Sequence, residues 1–209
     1  MPDLPTKNSL QLEVSLWGQQ FRRVMGLDEV GRGCLSGPVV AAGVILPPDI
    51  KEAPFPDSKQ IGSEERKALA REIRDVALFS CVREVWPAEI DRINILQASI
   101  KAMLECAESE EGRPDYLLVD GNRFTSTLTP HRCITGGDRL SASIGAASIL
   151  AKVYRDRLMA ELHEEYPYYG WDRNVGYPTR EHYRGLSAYG FSPYHRRSFN
   201  LRTDRPVSG

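Results

Sequence analysis

Two neighbouring acids, Asp28 and Glu29, lie between an apolar segment and a glycine-rich turn. Carboxylates are the hard oxygen ligands that Mg²⁺ and Mn²⁺ prefer in proteins. The turn, Gly31-Arg32-Gly33, contains two residues without a Cβ, so a polyanion can approach its main chain closely. Its arginine can bind a phosphate through two parallel hydrogen bonds. Metal ligands beside a phosphate-binding turn indicate chemistry on a phosphodiester.

The segment that carries the acidic pair constrains how the pair can act. Residues 21–28 are predicted to form a buried strand, in which successive side chains point to opposite faces of the sheet. Asp28 and Glu29 are therefore expected to share one metal site only if the chain bends or bulges there, and Gly31 and Gly33 favour such a bend. The alternative is a solvated turn that happens to contain two acids.

Two further acids occur at the ends of predicted elements. Asp120 ends a short apolar strand directly before a glycine, and Asp138 follows a Gly-Gly step shortly before a predicted helix. Ligands of open α/β sheets gather at the carboxyl ends of strands, so these acids are expected to converge with Asp28 and Glu29. Four close carboxylates stay ionised only when cations neutralise them. Taken singly, Asp120 could be a turn residue and Asp138 a helix cap; together the four predict a divalent-metal site.

The remaining sequence predicts a mixed α/β sheet with helices on its faces. Residues 38–46 form a continuous apolar run, which indicates a second buried strand joined to the first as an antiparallel hairpin. Strand and helix patterns alternate after that point. Further strands are predicted at 79–86, 116–119 and 133–135, and helices at 8–19, from the capping residue Ser63, from Pro87, and at 95–107, 141–166 and 179–189.

Size and composition restrict the class of protein. The 209 residues fit one domain, with or without a small appendage, that can bury a substantial core. No apolar run approaches the roughly 18 residues that a membrane helix needs, and no signal-peptide core follows the polar N-terminus. The four cysteines are scattered without a CxxC pair. This spacing argues against a zinc site and a disulfide framework, and it predicts reduced thiols and a cytoplasmic location.

Charge is unevenly distributed along the chain, although its net value is −1. Residues 171–209 contain seven arginines and three acids, a net charge of +4, which leaves −5 on the preceding residues. A basic C-terminal segment opposite an acidic cluster is expected of an enzyme that holds an anionic substrate with one part and metal with another.

With these residues in view, the sequence resembles the ribonuclease HII family. The shared motifs stand in family order and span roughly residues 24–200, nearly the whole chain. They are Gly26-Leu27-Asp28-Glu29-Val30-Gly31-Arg32-Gly33, Gly37-Pro38-Val39-Val40, Asp57-Ser58-Lys59, Asn94-Ile95-Leu96-Gln97-Ala98, Val119-Asp120-Gly121, Gly137-Asp138, Ala146-Ala147-Ser148-Ile149-Leu150-Ala151-Lys152, Gly176-Tyr177-Pro178-Thr179 and His195-Arg196-Arg197-Ser198-Phe199.

The resemblance implies a ribonuclease H-like fold, a mixed β-sheet flanked by helices, with a C-terminal helical segment. Residues 1–166 would form the catalytic domain, and 167–209 a substrate-binding segment packed on it. The implied activity is that of an endonuclease using two Mg²⁺ or Mn²⁺ ions. It would hydrolyse the RNA strand of RNA·DNA hybrids and cleave 5′ of ribonucleotides embedded in duplex DNA, leaving 5′-phosphate and 3′-hydroxyl ends. These nucleic acids are the implied partners, and a monomer without membrane or protein partner is expected.

The resemblance also implies roles for particular residues. Gly31-Arg32-Gly33 matches a turn that reads the ribose 2′-hydroxyl and the adjacent phosphate through backbone groups, and Tyr177 matches a tyrosine that packs on the sugar at the RNA–DNA junction. These roles suit the residue types, because only the 2′-hydroxyl distinguishes RNA from DNA at one nucleotide. The implied metal ligands are Asp28, Glu29, Asp120 and Asp138. Plausible phosphate contacts, each of which could instead be a surface or packing residue, are Lys59, Ser148, Lys152, Arg196 and Arg197.

Two other classes of function are open to the same residues. A non-catalytic nucleic-acid-binding module would use the basic C-terminal segment, but it leaves the four acids unexplained. A dinucleotide-binding enzyme is suggested by the glycines of the turn. Its fingerprint requires glycine where Ser36 stands, and a helix rather than a strand afterwards. The chain also departs from the family at Val30, where a small residue is usual.

Overall fold

The computed structural model of this chain describes residues 9–51, 61–124 and 128–201. These residues form a five-stranded sheet with helices on both faces. The strands are β1 (Val24–Val30), β2 (Val39–Ile45), β3 (Phe79–Val85), β4 (Tyr116–Asp120) and β5 (His131–Ile134). The helices are α1 (Gln11–Gly18), α2 (Ser63–Val76), α3 (Pro87–Ile93), α4 (Ile95–Ala107), α5 (Ala142–Glu165), α6 (Trp171–Asn174) and α7 (Arg180–Tyr189), with a 3₁₀ turn at Gly137–Arg139.

The sheet has the order β3-β2-β1-β4-β5. The first three strands pair antiparallel, whereas β4 pairs parallel to β1, and β5 parallel to β4. The predicted mixed sheet and the β1–β2 hairpin are therefore confirmed. A strand follows the glycine turn, so the helix that a dinucleotide-binding fingerprint requires is replaced by β2.

Side-chain alternation on the strands builds two apolar layers. Met25 and Leu27 of β1 pack toward α4, whereas Val40 and Ala42 of β2 pack toward α5 and α2. Gly26 faces α5, where an added Cβ would overlap the main chain of that helix. The helix therefore approaches the sheet closely at its N-terminal end, which fixes the position of the residues further along it.

Of the bend or bulge expected at the acidic pair, the bulge does not occur. Strand β1 pairs with β2 in one continuous register from Met25 opposite Ile45 to Val30 opposite Val40. The predicted bulge was wrong because both side chains border one cavity although the pairing of the strand is regular. The predicted capping role of Ser63 is also wrong, since Ser63 is the first residue of α2 and Gly62 occupies the N-cap position.

The residues after α6 pack against the glycine turn that joins β1 to β2. Leu35 donates its main-chain N–H to the Gly176 carbonyl at 2.8 Å, and Gly37 donates to the Tyr194 carbonyl at 2.9 Å. Arg196 donates in turn to the Leu35 carbonyl at 2.9 Å. The turn between the first two strands is thus held in place from the far end of the chain.

The described residues bear on two expectations from the sequence, one about membrane helices and one about disulfide bonds. No helix of these residues is long and apolar enough to cross a membrane. Cys34, Cys81, Cys106 and Cys133 are all free thiols, as their spacing predicts.

Two buried histidines join α7 to the loop that follows it. The Nε2 atoms of His182 and His195 are 3.0 Å apart. His182 Nδ1 is 2.9 Å from the Tyr177 carbonyl, so its proton is assigned to Nδ1, and its Nε2 accepts from His195. His195 Nδ1 accepts from the Ser192 main-chain N–H at 3.0 Å. Both rings are satisfied when neutral. Burial and the neighbouring His182 lower the pKa of His195 to about 3.

This histidine pair is expected to make stability depend on pH. The folded-state pKa of His195 lies below the usual value near 6.5, so the unfolded chain binds the extra proton and acid favours unfolding. The contribution is complete above about pH 7 and is lost progressively toward pH 3. Between pH 6.5 and pH 5 wild type should lose about 2 kcal/mol through His195. Urea unfolding of wild type and His195→Asn at both pH values measures this loss. A difference in the free energy of unfolding between the two proteins that does not shrink at pH 5 would contradict the prediction.

Candidate active site

A cavity of about 380 Å³ opens at the ends of β1 and β4, beside α5. It gathers residues from six separate parts of the chain, and all four acids singled out in the sequence border it. The lining comprises Asp28, Glu29, Val30, Gly31, Arg32, Gly33, Arg66, Asp120, Asp138, Ser148, Lys152 and Tyr177.

The acidic pair reaches this cavity because neighbouring strands end at different points. Parallel pairing of β1 with β4 ends at Leu27 opposite Val119, whereas β1 continues to Val30 along β2. Residues 28–30 of β1 therefore pair with β2 on one side and have no pairing with β4 on the other. Asp28 lies on the α5 face and Glu29 on the α4 face, where Glu29 also borders a second cavity of about 430 Å³. Asp120 lines both cavities and links the two faces.

Asp120 also positions the segment that carries Asp138. Its Oδ1 accepts a hydrogen bond of 2.7 Å from the main-chain N–H of Gly137. An added Cβ at Gly137 would lie 2.6 Å from the end of the Ile144 side chain, which would then have to move. Asp138 is itself buried, with 7% of its surface exposed. Ser141 provides the N-cap of α5, which excludes the simple capping role for Asp138.

The acids at the cavity are in electrostatic contact. Burial raises the pKa of Asp28, and the negative charges of Asp120 and Glu29 raise it further, while hydrogen bonds from Ser148 and the Glu29 main chain act in the opposite direction. Burial also raises the pKa of Glu29, against the effect of Arg32, whose Nη1 lies 3.0 Å from Oε1. A bound cation would relieve this repulsion.

The donor set at the cavity suits a divalent cation with hard-ligand preference. Within the described ranges, no three acidic, histidine or cysteine side chains are grouped as a ready-made metal cage. Mg²⁺ does not require one, because proteins hold it through one or two carboxylates, with water and substrate phosphate as the other ligands. The mutual repulsion of Asp28, Glu29 and Asp120 gives such an ion an electrostatic role. The residues present therefore fit Mg²⁺ or Mn²⁺.

The glycine turn and Tyr177 line the same cavity as the acids. Gly31 has a φ of +91°, and the Arg155 side chain occupies the space where its Cβ would stand. The Tyr177 ring lies 3.7 Å from the position of a Cβ added at Gly33 and is 42% exposed. An exposed aromatic ring thus lies beside the exposed Gly33.

The predicted phosphate contacts fall into different surroundings. Ser148 and Lys152 line the cavity, and the Lys152 Nζ also lies 2.6 Å from Asp156. Arg197 is exposed, with its guanidinium 4.6 Å from the centre of the Phe191 ring. Lys59 lies outside the residues that the structure describes.

Arg196 does not lie where a phosphate contact must lie. Its side chain is completely buried behind the glycine turn and donates to the main-chain carbonyls of Gly37 and Arg32. A buried guanidinium cannot touch a phosphate in the cavity, so the predicted direct contact is contradicted. The residue type predicts the positive charge of Arg196 correctly, but it does not predict on which side of the turn the side chain lies.

Two residues near the cavity were not identified from the sequence. Arg66 of α2 lines the cavity, and Arg155 of α5 packs behind the glycine turn. Helical spacing could have indicated Arg155, because Ser148, Lys152 and Arg155 follow one another at intervals of four and three residues and share a helix face. Nothing in the charged pattern of α2 distinguishes Arg66.

Comparison with known proteins places this arrangement in context. A family model described as Ribonuclease HII matches residues 25–202. A ribonuclease HII of Salinibacter ruber is 47% identical over 93% of this chain and the whole of that protein. A ribonuclease HII of Bacteroides thetaiotaomicron is 51% identical over 86% of this chain and 90% of its own length.

Solved structures give the same picture of the fold. The crystal structure of ribonuclease H2 from Pyrococcus horikoshii superposes with a TM-score of 0.73 and 25% identity, covering 85% of this chain and 94% of that one. Bst-RNase HIII in complex with Mn²⁺ superposes with a TM-score of 0.60 and 19% identity, covering 90% of this chain and 71% of that one. The latter likeness bears on the fold alone.

Proposed function

Because this chain belongs to the ribonuclease HII family and is an endoribonuclease of the ribonuclease H type, we propose that it hydrolyses the RNA strand of RNA·DNA hybrids and cuts on the 5′ side of ribonucleotides embedded in duplex DNA. One observation carries the proposal. Four carboxylates from three distant parts of the chain border the same cavity as the glycine turn, whose Arg32 and Gly33 are exposed. Acids and a turn with main-chain donors in one cavity suit a phosphodiester next to a ribose.

The four acids are the proposed holders of divalent metal, Mg²⁺ or Mn²⁺, of which the latter accompanies the related Bst-RNase HIII. Such an ion, when bound, lowers the pKa of a water molecule and stabilises the charge on the leaving oxygen. The protein's own part is to hold the carboxylates in place. Asp28 is oriented by Ser148 and by the Glu29 main chain, Glu29 by Arg32, and Asp120 by Gly137.

The glycine turn is the proposed reader of the ribose. Main-chain donors of Gly31-Arg32-Gly33 are proposed to face one sugar, which can approach closely at the exposed Gly33 because that residue carries no Cβ. The missing Cβ of Gly31 instead leaves room for the Arg155 side chain behind the turn. The 2′-hydroxyl is the group that tells RNA from DNA at one nucleotide. Lys152, Ser148 and Arg197 are proposed to contact phosphates, and residues 167–209 to form the substrate-binding segment. Lys59 keeps the same proposed role, although it is outside the described residues.

Tyr177 is proposed to pack on the sugar or base at the RNA–DNA junction. Replacing Tyr177 by Ala should lower kcat/KM on a duplex with one ribonucleotide by about tenfold or more, because one stacking contact contributes about 1–3 kcal/mol. Steady-state cleavage measures this. Leu78→Ala is the control, since that apolar side chain is also exposed but lies outside both the cavity lining and residues 167–209. Equal losses of kcat/KM in the two variants would show that Tyr177 does not contact the substrate.

The proposed function is tested by a gel assay on labelled duplex DNA that contains a single ribonucleotide. Cleavage is expected in Mg²⁺ or Mn²⁺, at the 5′ side of the ribonucleotide, with a 3′-hydroxyl that a DNA polymerase can extend. Chelator should abolish it, and an all-DNA duplex should remain intact. Cleavage that persists in chelator, or that also cuts the all-DNA duplex, would refute the proposal.

A further inference from the structure

The guanidinium of Arg196 lies directly beneath the glycine turn. Its Nε and Nη2 donate to the Gly37 carbonyl at 3.0 and 2.9 Å, and its Nη1 donates to the Arg32 carbonyl at 3.0 Å. Burial lowers the pKa of Arg196 to about 10, so the group stays charged at neutral pH. A planar guanidinium with several fixed donors can hold two carbonyls in defined directions, which a lysine cannot do.

One of these carbonyls belongs to the peptide that joins Arg32 to Gly33. No peptide bond of the described residues is cis. In a trans peptide the C=O and the N–H point in opposite directions. Because the Arg32 carbonyl points inward to Arg196, the Gly33 N–H points outward, on the side where Gly33 lines the cavity. The direction of this N–H is therefore set from behind the turn.

A second buried guanidinium supports the rest of the turn. Arg155 donates to the carbonyls of Pro38 at 3.0 Å and Ser36 at 3.1 Å. Its Nη1 donates to the Val175 carbonyl at 2.7 Å, two residues before Tyr177. Arg155 thus connects the turn with the loop that carries the aromatic ring, while Arg196 fixes the peptide nearest to the cavity.

We propose that Arg196 is a positioning residue for ribose recognition: it holds the Arg32–Gly33 peptide so that the Gly33 N–H faces the 2′-hydroxyl of the substrate. This rests on the proposed function, in which the turn reads that hydroxyl. A positioning role and a phosphate contact predict different results. Loss of a phosphate contact weakens binding to RNA and DNA alike, whereas loss of the positioning group weakens only the preference for a ribonucleotide.

The test compares Arg196→Met, which keeps the length of the buried side chain, with Arg197→Met at the exposed neighbouring position. Binding is measured in EDTA, where no cleavage occurs, to a duplex with one ribonucleotide and to the same duplex made of DNA alone. Arg196→Met should reduce the ratio of the two affinities by about tenfold, the effect of one hydrogen bond, without changing the salt dependence. Arg197→Met should leave that ratio unchanged.

Other outcomes overturn the positioning role. An unchanged ratio in Arg196→Met, or a salt slope that falls by about one, would show a simple charge effect. If the wild-type protein cleaves but binds both duplexes equally well, the turn does not recognise the ribose. If Arg196→Met does not fold by circular dichroism, NMR of the wild-type protein decides: the Gly33 amide signal should shift with the ribonucleotide duplex and not with a 2′-deoxy duplex. An equal shift with both would contradict the proposal, and it would leave the cleavage assay of the proposed function unaffected.

Discussion

Replacing Asp120 by Asn is expected to reduce cleavage of a one-ribonucleotide duplex by roughly a thousandfold or more, equivalent to about 4 kcal/mol of transition-state stabilisation. Asp120 borders both cavities and lies in the electrostatic field of Asp28 and Glu29. An amide of the same shape still accepts the hydrogen bond from Gly137 but no longer supplies a charge to hold a cation. Single-turnover kinetics in Mg²⁺ and in Mn²⁺ measure the loss.

The loss should be confined to chemistry. Binding of the Asp120→Asn variant to an RNA·DNA hybrid should be equal to or tighter than that of wild type, because a negative charge near the phosphates is removed. Asp75→Asn, on the exposed side of α2, changes the net charge equally and should cleave normally. Retention of full activity by Asp120→Asn would exclude Asp120 from the site.

Replacing Gly26 by Ala is expected to destabilise the protein by about 3 kcal/mol or more. The new methyl group would meet the main chain of α5 at Ser143 and Ile144. A backbone cannot rotate away as a flexible side chain can, so the helix must move off the sheet. Since Ser148 and Lys152 lie further along the same helix, cleavage should fall as well. Urea unfolding and melting temperature measure the loss.

Gly18 provides the matched glycine for this comparison. No other atom lies within 4 Å of a Cβ added there, and its backbone is not in the left-handed region. Gly18→Ala should change the free energy of unfolding by less than about 1 kcal/mol. Similar stability of Gly26→Ala and Gly18→Ala would show that α5 tolerates a greater distance from the sheet.

The sheet and its main helices could be predicted because their patterns are local. The apolar run of residues 38–46 indicates a buried strand on its own, and the helical spacing of residues 95–107 needs no partner to be recognised. The shape of the acidic corner could not be predicted in this way. It depends on β4 ending at Asp120 while β1 continues, which is a property of two strands that are far apart in sequence.

The basic residues show the same limit. Arg196 and Arg197 are neighbours of the same type, yet one is buried and the other exposed. Which of them faces inward is decided by contacts with Gly37 and Arg32, 159 and 164 residues earlier in the chain. Residue type alone predicts a positive charge, and only the packing of distant segments determines what that charge contacts.

The most direct test of the carboxylate cavity as a metal site is anomalous X-ray scattering from Mn²⁺ in crystals of the wild-type protein. The expected result is an anomalous peak in the cavity between the carboxylates of Asp28 and Asp120, and no peak there in Asp120→Asn crystals treated in the same way. Manganese bound only elsewhere, or a cavity peak that persists unchanged in the variant, would contradict the assignment of these acids as the ligands that make this protein a nuclease.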